Sequence, residues 1–282
     1  MRISCSFVAK KTMNVADKII LVTGGANGIG KALGERFHQE GAAKIYVADI
    51  DFENAEAVAA SIGGKALRLD VADEANCQSV VEDITDESGR IDLIASNAGI
   101  GGAEGSLEVG NEMWRKIYEI NVLSHVYLAR AAFPAMVERG AGAFLITASA
   151  AGLLTHPTVA PYAVSKHAAR ALAENLAIEF AERGIYVSCL CPQGVKTDLI
   201  MGGANNPNGF LLDGAISAEA CADAVVDALE KETFLILPHK EVGDYIVKKA
   251  ENRDRWIHSL RKIRNAVLEE RGKFAAEKNA RS

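Results

Sequence analysis

The strongest constraint on the fold of this 282-residue chain is a regular alternation between two hydrophobic periods. Short apolar or β-branched runs of strand length recur at 19–23, 44–48, 66–69, 93–96, 143–148, 186–190 and 234–237. Each is followed by a stretch of helical period, at 29–40, 52–61, 73–88, 111–137, 161–182, 217–230 and 241–271. Several strand runs lack flanking polar residues, as parallel strands covered on both faces should. Alternating β and α units joined by right-handed crossovers wrap a parallel sheet in two helical layers. The expectation is an α/β, doubly wound Rossmann fold with a seven-stranded parallel sheet and helices on both faces. With no Pro/Ser-rich linker and no repeat, residues 17–240 read as one domain, preceded by an extension at 1–16 and followed by a helical extension at 241–282. One glycine-rich irregular stretch, 198–215, interrupts the pattern, and loops of that length are usually functional or disordered.

Charge and cysteine usage narrow the function classes. The net charge is −6, and it is unevenly spread, +5 from Lys240 onward and −11 before it. Such a body has no bulk attraction to nucleic acid, and the tail reads as a solvated amphipathic helix. The cysteines Cys5, Cys77, Cys189, Cys191 and Cys221 are scattered without a C-x-x-C pair, which speaks against a disulfide framework or a metal site and fits a reducing compartment. No stretch approaches the roughly 18 consecutive apolar residues of a membrane span. The opening apolar run is short and broken by Lys10 and Lys11, unlike a signal peptide, so a cytoplasmic protein is expected. Met13, just ahead of the first strand, is a candidate alternative start.

Directly after the first strand stands Thr23-Gly24-Gly25-Ala26-Asn27-Gly28-Ile29-Gly30, and a helix follows. A strand, a glycine-rich turn and a helix start form an anion site, because unpaired N–H groups and the helix dipole point at the ligand. Glycine permits φ > 0 and a close approach of backbone to a pyrophosphate. The second strand ends in Asp49, nineteen residues after Gly30, where a carboxylate would accept the adenosine ribose hydroxyls and repel a 2′-phosphate. No Arg or Lys stands in the glycine loop or just after Asp49, where Ile50 follows, so NAD is expected over NADP. The alternative for Asp49 is a helix cap before the run at 52–61, the less favoured of the two readings.

Tyr162 and Lys166 are four apart on a segment opened by Pro161, which places them on one helix face. A neighbouring ammonium favours the phenolate of a side chain whose reference pKa is about 10. By spacing alone such a pair is more often a surface pair. Ser149 ends the fifth strand, on the same sheet edge as Gly24 and Asp49, where open α/β sheets bind ligands. Asn121 is polar in an apolar helical stretch: a satisfied buried amide, a helix kink, or a water-holding link to Lys166.

Together, Thr23-Gly24-x-x-x-Gly28-x-Gly30, Asn97-Ala98-Gly99, Asn121, Ser149 and Tyr162-x-x-x-Lys166 resemble, in order and spacing, the short-chain dehydrogenase/reductase family over roughly residues 17–238. The resemblance implies that Tyr162 is the general acid/base, Ser149 orients the substrate oxygen, Lys166 binds the nicotinamide ribose and lowers the Tyr162 pKa, and Asn121 completes a proton relay through water. It further implies a cofactor site made of Gly24, Asn27, Gly28, Ile29, Gly30, Asp49, the adenine-contacting pair Asp70 and Val71, the segment Asn97, Ala98 and Gly99, and Tyr162 and Lys166. After strand six, Pro192, Val195 and Thr197 resemble the family's P-G-x-V-x-T segment beside the nicotinamide, with Gln193 at the usual glycine.

The expected reaction is the NAD-dependent interconversion of a secondary alcohol and a ketone, with no metal. Leu153, Leu154, Val159, Leu199, Ile200, Met201, Phe210, Leu211 and Leu212 make the variable segments apolar, which suggests a mid-sized hydrophobic substrate, steroid-like, aromatic or fatty. His156 is the ionisable group between Ser149 and Tyr162. Alternatives are a non-catalytic dinucleotide sensor or scaffold, an NADP-dependent carbonyl reductase, and an epimerase or lyase of the larger related branch, which the glycine spacing disfavours. Residues 241–271 carry Tyr245, Ile246, Trp256, Ile257, Leu260, Ile263, Val267 and Leu268 at near-helical spacing, an apolar face to cover the active-site mouth or dock on another subunit. The resemblance favours a homodimer or homotetramer formed through the helices at 111–137 and 161–182.

Overall fold

The computed structural model describes residues 13–101, 103–201, 212 and 214–280. Among them the strands are β1 (Ile19–Thr23), β2 (Lys44–Asp49), β3 (Lys65–Arg68), β4 (Leu93–Ser96), β5 (Gly142–Thr147), β6 (Ile185–Leu190) and β7 (Leu235–Ile236). They pair in the order β3-β2-β1-β4-β5-β6-β7, every pair parallel. The helices are α1 (Gly28–Gln39), α2 (Phe52–Ser61), α3 (Glu74–Ser88), α4 (Asn111–Tyr118), α5 (Ser124–Arg139), α6 (Ala151–Leu154), α7 (Ala160–Phe180), α8 (Asp198–Met201), α9 (Ala218–Glu230), α10 (Glu241–Glu251) and α11 (Arg253–Ala280).

Side chains alternate across a strand, so a sheet covered on both faces buries every residue of a central strand. All five residues of β1 are buried. Ile20 and Val22 enter one apolar layer with α1, α2 and α9, while Ile19 and Leu21 enter the other with α3, α5 and α7. The doubly wound expectation is therefore met. Asp51, Asp73 and Ser217 cap α2, α3 and α9 through their side chains, fixing where those helices begin.

Several expected boundaries shift. Val15 is buried and Met13 packs on the same core; residues 1–12 lie outside the described residues. The seventh strand shrinks to two residues, and the helix expected at 241–271 breaks at Asn252, whose extended backbone separates α10 from α11. The 198–215 stretch begins with the short helix α8, and Phe210 and Leu211 lie outside the described residues. The stretch at 111–137 is α4 and α5 joined by a π-helical turn, Glu119–Leu123. This run, 111–139, is the one described helix long and apolar enough to cross a membrane by length and composition, but half of its most apolar 18-residue window is buried within the protein.

The chain leaves β1 towards β2 and β3, then returns to lay β4 on the other side of β1. That reversal opens a crevice at the carboxyl ends of β1 and β4, the place where open α/β sheets bind ligands.

Candidate active site

A cleft of about 710 Å³ occupies this crevice. Its first wall is the glycine loop. Gly24 and Gly28 both have positive φ, at 64° and 53°, and a Cβ on Gly30 would lie 2.0 Å from the Gly24 carbonyl oxygen. Only glycine permits this packing. Thr23 ties the loop to β4: its Oγ1 accepts from the N–H groups of Asn97 and Ala98 at 3.0 and 3.1 Å, and Asn97 Nδ2 donates to the Thr23 carbonyl at 3.2 Å. Thr197 reaches the same loop from beyond β6, its Cγ2 3.1 Å from where a Cβ on Gly28 would stand.

Gly24, Asn27, Gly28, Ile29, Asp49, Asp70, Val71, Asn97, Ala98, Gly99, Pro192, Val195 and Thr197 all line the cleft with Ser149, Tyr162 and Lys166. Gly30 stands just behind, its role being to let Gly24 approach. Asn121, fully buried, sits one layer back rather than on the lining. Asp49 serves the backbone: Oδ2 accepts from Ala26 N–H and Oδ1 from Asp51 N–H, each at 3.0 Å. The absence of a cation near Asp49 holds along the sequence but not in space. Arg68 pairs with Asp49 in the sheet register and donates from Nη1 to the Ile50 carbonyl at 3.2 Å. Parallel pairing of β2 and β3 brings together positions that the chain separates.

The residues present fit a dinucleotide. Among the described residues α1 begins at Asn27 with no side-chain cap and no acidic residue in its first turn, leaving N–H groups for an anion. Around the cleft, and counting partners among the described residues, Asn97 Oδ1, Thr147 Oγ1 and Gln193 Oε1 are buried without a hydrogen bond. Buried polar atoms are normally paired, so three of them on one lining point to a polar ligand.

At the other end β5, α6 and α7 converge. The Ser149 hydroxyl accepts from Ala151 N–H at 3.1 Å and donates to the Pro192 carbonyl at 3.5 Å, which fixes it between β5 and the end of β6. Lys166 is 3% exposed and donates from Nζ to the Thr147 carbonyl at 2.9 Å; the same Nζ lies 5.8 Å from the centre of the Tyr162 ring. Burial pushes Lys166 down to about 8. Burial also raises the Tyr162 phenol above its ordinary value, while the Ser149 hydroxyl pulls it down. For Tyr162 the loss of solvent outweighs the Ser149 hydroxyl, so the net direction is upward.

The π-helical turn explains Asn121. An extra residue in the turn frees backbone and re-aims a side chain, which is why such turns recur at functional sites. Asn121 Oδ1 accepts from Ile100 N–H at 2.9 Å, and Nδ2 donates to the Ile100 carbonyl at 3.0 Å and to Ser165 Oγ at 3.1 Å. Of the readings open for Asn121, the satisfied buried amide describes these bonds. Even so, Asn121 Oδ1 and Lys166 Nζ each lie 3.2 Å from where a Cβ on Gly99 would be.

The sequence profile described as short chain dehydrogenase matches residues 18–207. This chain belongs to the short-chain dehydrogenase/reductase family. Among curated relatives, the 1-deoxy-11-beta-hydroxypentalenate dehydrogenase of Streptomyces exfoliatus is 35% identical over 237 residues, covering 81% of this chain and 86% of that protein. The 2,5-dichloro-2,5-cyclohexadiene-1,4-diol dehydrogenase LinX of Sphingobium indicum is 34% identical over 190 residues, 66% of this chain and 76% of that protein. A crystal structure of a short-chain dehydrogenase/reductase from Burkholderia phymatum in complex with NAD shares the fold, with a TM-score of 0.78, 24% identity, and 86% and 95% of the two chains covered.

Several members of this family site carry no motif of their own. Thr147 and Ser165 act through hydrogen bonds to Lys166 and Asn121, and Tyr245, Trp256, Leu260 and Ile263 reach the cleft from the C-terminal helices. Their near-helical spacing was the only sequence signal available, and it did not say which surface they would cover.

Proposed function

We propose that the protein is an NAD(H)-dependent oxidoreductase that interconverts a secondary alcohol and a ketone on a mid-sized hydrophobic substrate. The observation that carries this reading is the convergence of Ser149, Tyr162 and Lys166 on one lining with the glycine loop. A nicotinamide dinucleotide bound there supplies the hydride acceptor or donor. The protein's own groups manage the oxygen and its proton. Ser149 turns its hydroxyl hydrogen from the long bond to the Pro192 carbonyl to the substrate oxygen, and Tyr162 takes the hydroxyl proton during oxidation or returns it during reduction. The Lys166 ammonium, charged below about pH 8, holds the nicotinamide ribose and favours the phenolate as substrate and cofactor complete the site. Asn121, stitched to Ile100, keeps a polar path open behind Lys166 for proton exchange with solvent.

Asp49 at the adenosine end supports NAD over NADP, its charge disfavouring a 2′-phosphate. The apolar lining from Ile100, Leu154 and Leu199 supports a hydrophobic substrate, and both curated relatives are named as dehydrogenases of ring compounds. The exposed Met113, Tyr118, Val164 and Ile178 on α4 and α7, with their neighbour α5, support a homodimer or homotetramer. Four described cysteines, all buried and unpaired, support a cytoplasmic setting. The test is absorbance of reduced nicotinamide with a panel of secondary alcohols. Wild type is expected to turn over apolar members with NAD, and Tyr162→Phe to lose turnover while still binding cofactor. Near-normal turnover by Tyr162→Phe, or activity confined to small polar polyols, overturns the reading.

A further inference from the structure

The family match ends at residue 207, yet the cleft does not. Tyr245 of α10 and Trp256, Leu260 and Ile263 of α11 line it together with Leu154 and Leu199. Two hydrogen bonds pin this C-terminal pair to the wall. Trp256 Nε1 donates to the Leu154 carbonyl at 3.1 Å, and Lys249 Nζ donates to the Leu153 carbonyl. Val242, fully buried, anchors α10 in an apolar cluster with Ala150 and Leu154, against which Leu153, Tyr245, Ile246 and Trp256 pack. The rings of Tyr245 and Trp256 stand 6.3 Å apart, tilted by 42°. Further along α11, the Arg264 charge adds to the backbone donors that hold the Glu108 carboxyl below its usual range.

The Trp256 N–H is already satisfied by the protein, so what the indole offers the cleft is its apolar ring. Leu260 and Ile263 recur at the helical spacing that puts them on that same face. Because α6, to which the pair is bonded, starts two residues after Ser149, the roof stands over the substrate end.

We propose that α10 and α11 form the roof of the substrate subsite, and that Trp256 and Leu260 are specificity-determining residues that select a ring-bearing apolar alcohol or ketone over a short acyclic one. This rests on reading the site as an alcohol and ketone oxidoreductase. With the roof bonded to α6, a substrate that presents its oxygen to Ser149 and Tyr162 sets its hydrocarbon body against Trp256, Leu260 and Ile263. A short acyclic substrate reaches the oxygen contacts without touching the roof.

The test compares 2-butanol with the bicyclic alcohol 1-decalol. Removing a large apolar contact from a pocket changes discrimination by about 10- to 200-fold per methylene-sized difference. In Trp256→Ala and in Leu260→Ala, kcat/KM for 1-decalol is expected to fall at least tenfold, while that for 2-butanol and the Kd for NAD stay within twofold. Trp256→Phe, which keeps a flat apolar ring, is expected to restore most of the discrimination. If Trp256→Ala melts at room temperature, Ile263→Trp takes its place, filling the roof and excluding 1-decalol but not 2-butanol. A binding readout separates this proposal from turnover. In a Trp114→Phe background Trp256 is the only indole, and its emission is expected to shift saturably with 1-decalone in the NAD-loaded protein and not with 2-butanone. Equal losses for both alcohols, unchanged discrimination, or no response of Trp256 to 1-decalone overturns the roof. A wild-type protein inert towards every alcohol, with Trp256 still responding to 1-decalone, overturns the proposed reaction and leaves the roof standing.

Discussion

Lowering the pH from 7 to 5 should cost this protein about 2 kcal/mol of stability through one side chain, His125. The imidazole is fully buried in α5, with Nδ1 2.6 Å from Ser96 Oγ and, among the described residues, no partner for Nε2. Burial, helped by the Lys166 ammonium, pushes it down from 6.5 to about 3. The folded pKa therefore lies below the unfolded one. As pH drops below 6.5 the unfolded chain takes up a proton that the folded protein refuses until about 3, so stability is lost steadily across that window. At about 1.4 kcal/mol per pH unit, softened near the unfolded pKa, the loss between pH 7 and pH 5 is about 2 kcal/mol. Urea unfolding of wild type and His125→Asn at the two pH values isolates it, because carboxylates contribute equally to both proteins and the constant cost of the substitution cancels in the pH difference. Wild type should lose about 2 kcal/mol more than the variant over this interval. Equal losses would show that His125 carries its proton in the fold, and the account of a dry, cationic interior behind the active site would fail.

Three further outcomes follow from distances at the site. Gly99→Ala places a methyl 3.2 Å from both Asn121 Oδ1 and Lys166 Nζ, so the two must give by a few tenths of an ångström; kcat/KM should fall roughly tenfold with little change in melting temperature, since small misplacements at a reacting site are costly. Gly30→Ala meets the Gly24 carbonyl at 2.0 Å and cannot be absorbed by a rotamer change; calorimetry should show dinucleotide affinity down by about a hundredfold or more, with about 1–3 kcal/mol of stability lost. Asp49→Ala removes the acceptor of the Ala26 and Asp51 N–H groups together with the charge that disfavours a 2′-phosphate; the ratio of Kd values should move about tenfold towards NADP, aided by Arg68. In the core, Phe144→Ala, at a fully buried ring stacked edge-on against Phe133, should cost about 3–5 kcal/mol in chemical unfolding.

The legible part of the site is the part encoded within a few residues of chain. The glycine loop announces itself because a tight turn between a strand and a helix leaves little choice of residue, and Tyr162 and Lys166 because four residues make one turn of α7. Asn121 was visible as a polar residue out of place, but the π-helical turn that aims its amide at Ile100 was not, since an added residue in a helix leaves no mark in the hydrophobic period. Arg68 escaped for another reason. Its place beside Ile50 is set by which strand pairs with β2, and strand order depends on contacts far apart in sequence.

What the amino-acid order determined unaided is the doubly wound sheet and the motif-bearing edge of its crevice, because the hydrophobic period and turn chemistry act over a few residues. The assembled molecule alone decided how the side chains there are charged and what covers them. Burial holds Tyr162 up and Lys166 and His125 down, and burial is a property of all the chain packed around a group. The roof of α10 and α11 likewise exists only once Trp256 finds the carbonyl of Leu154, a residue 102 positions away.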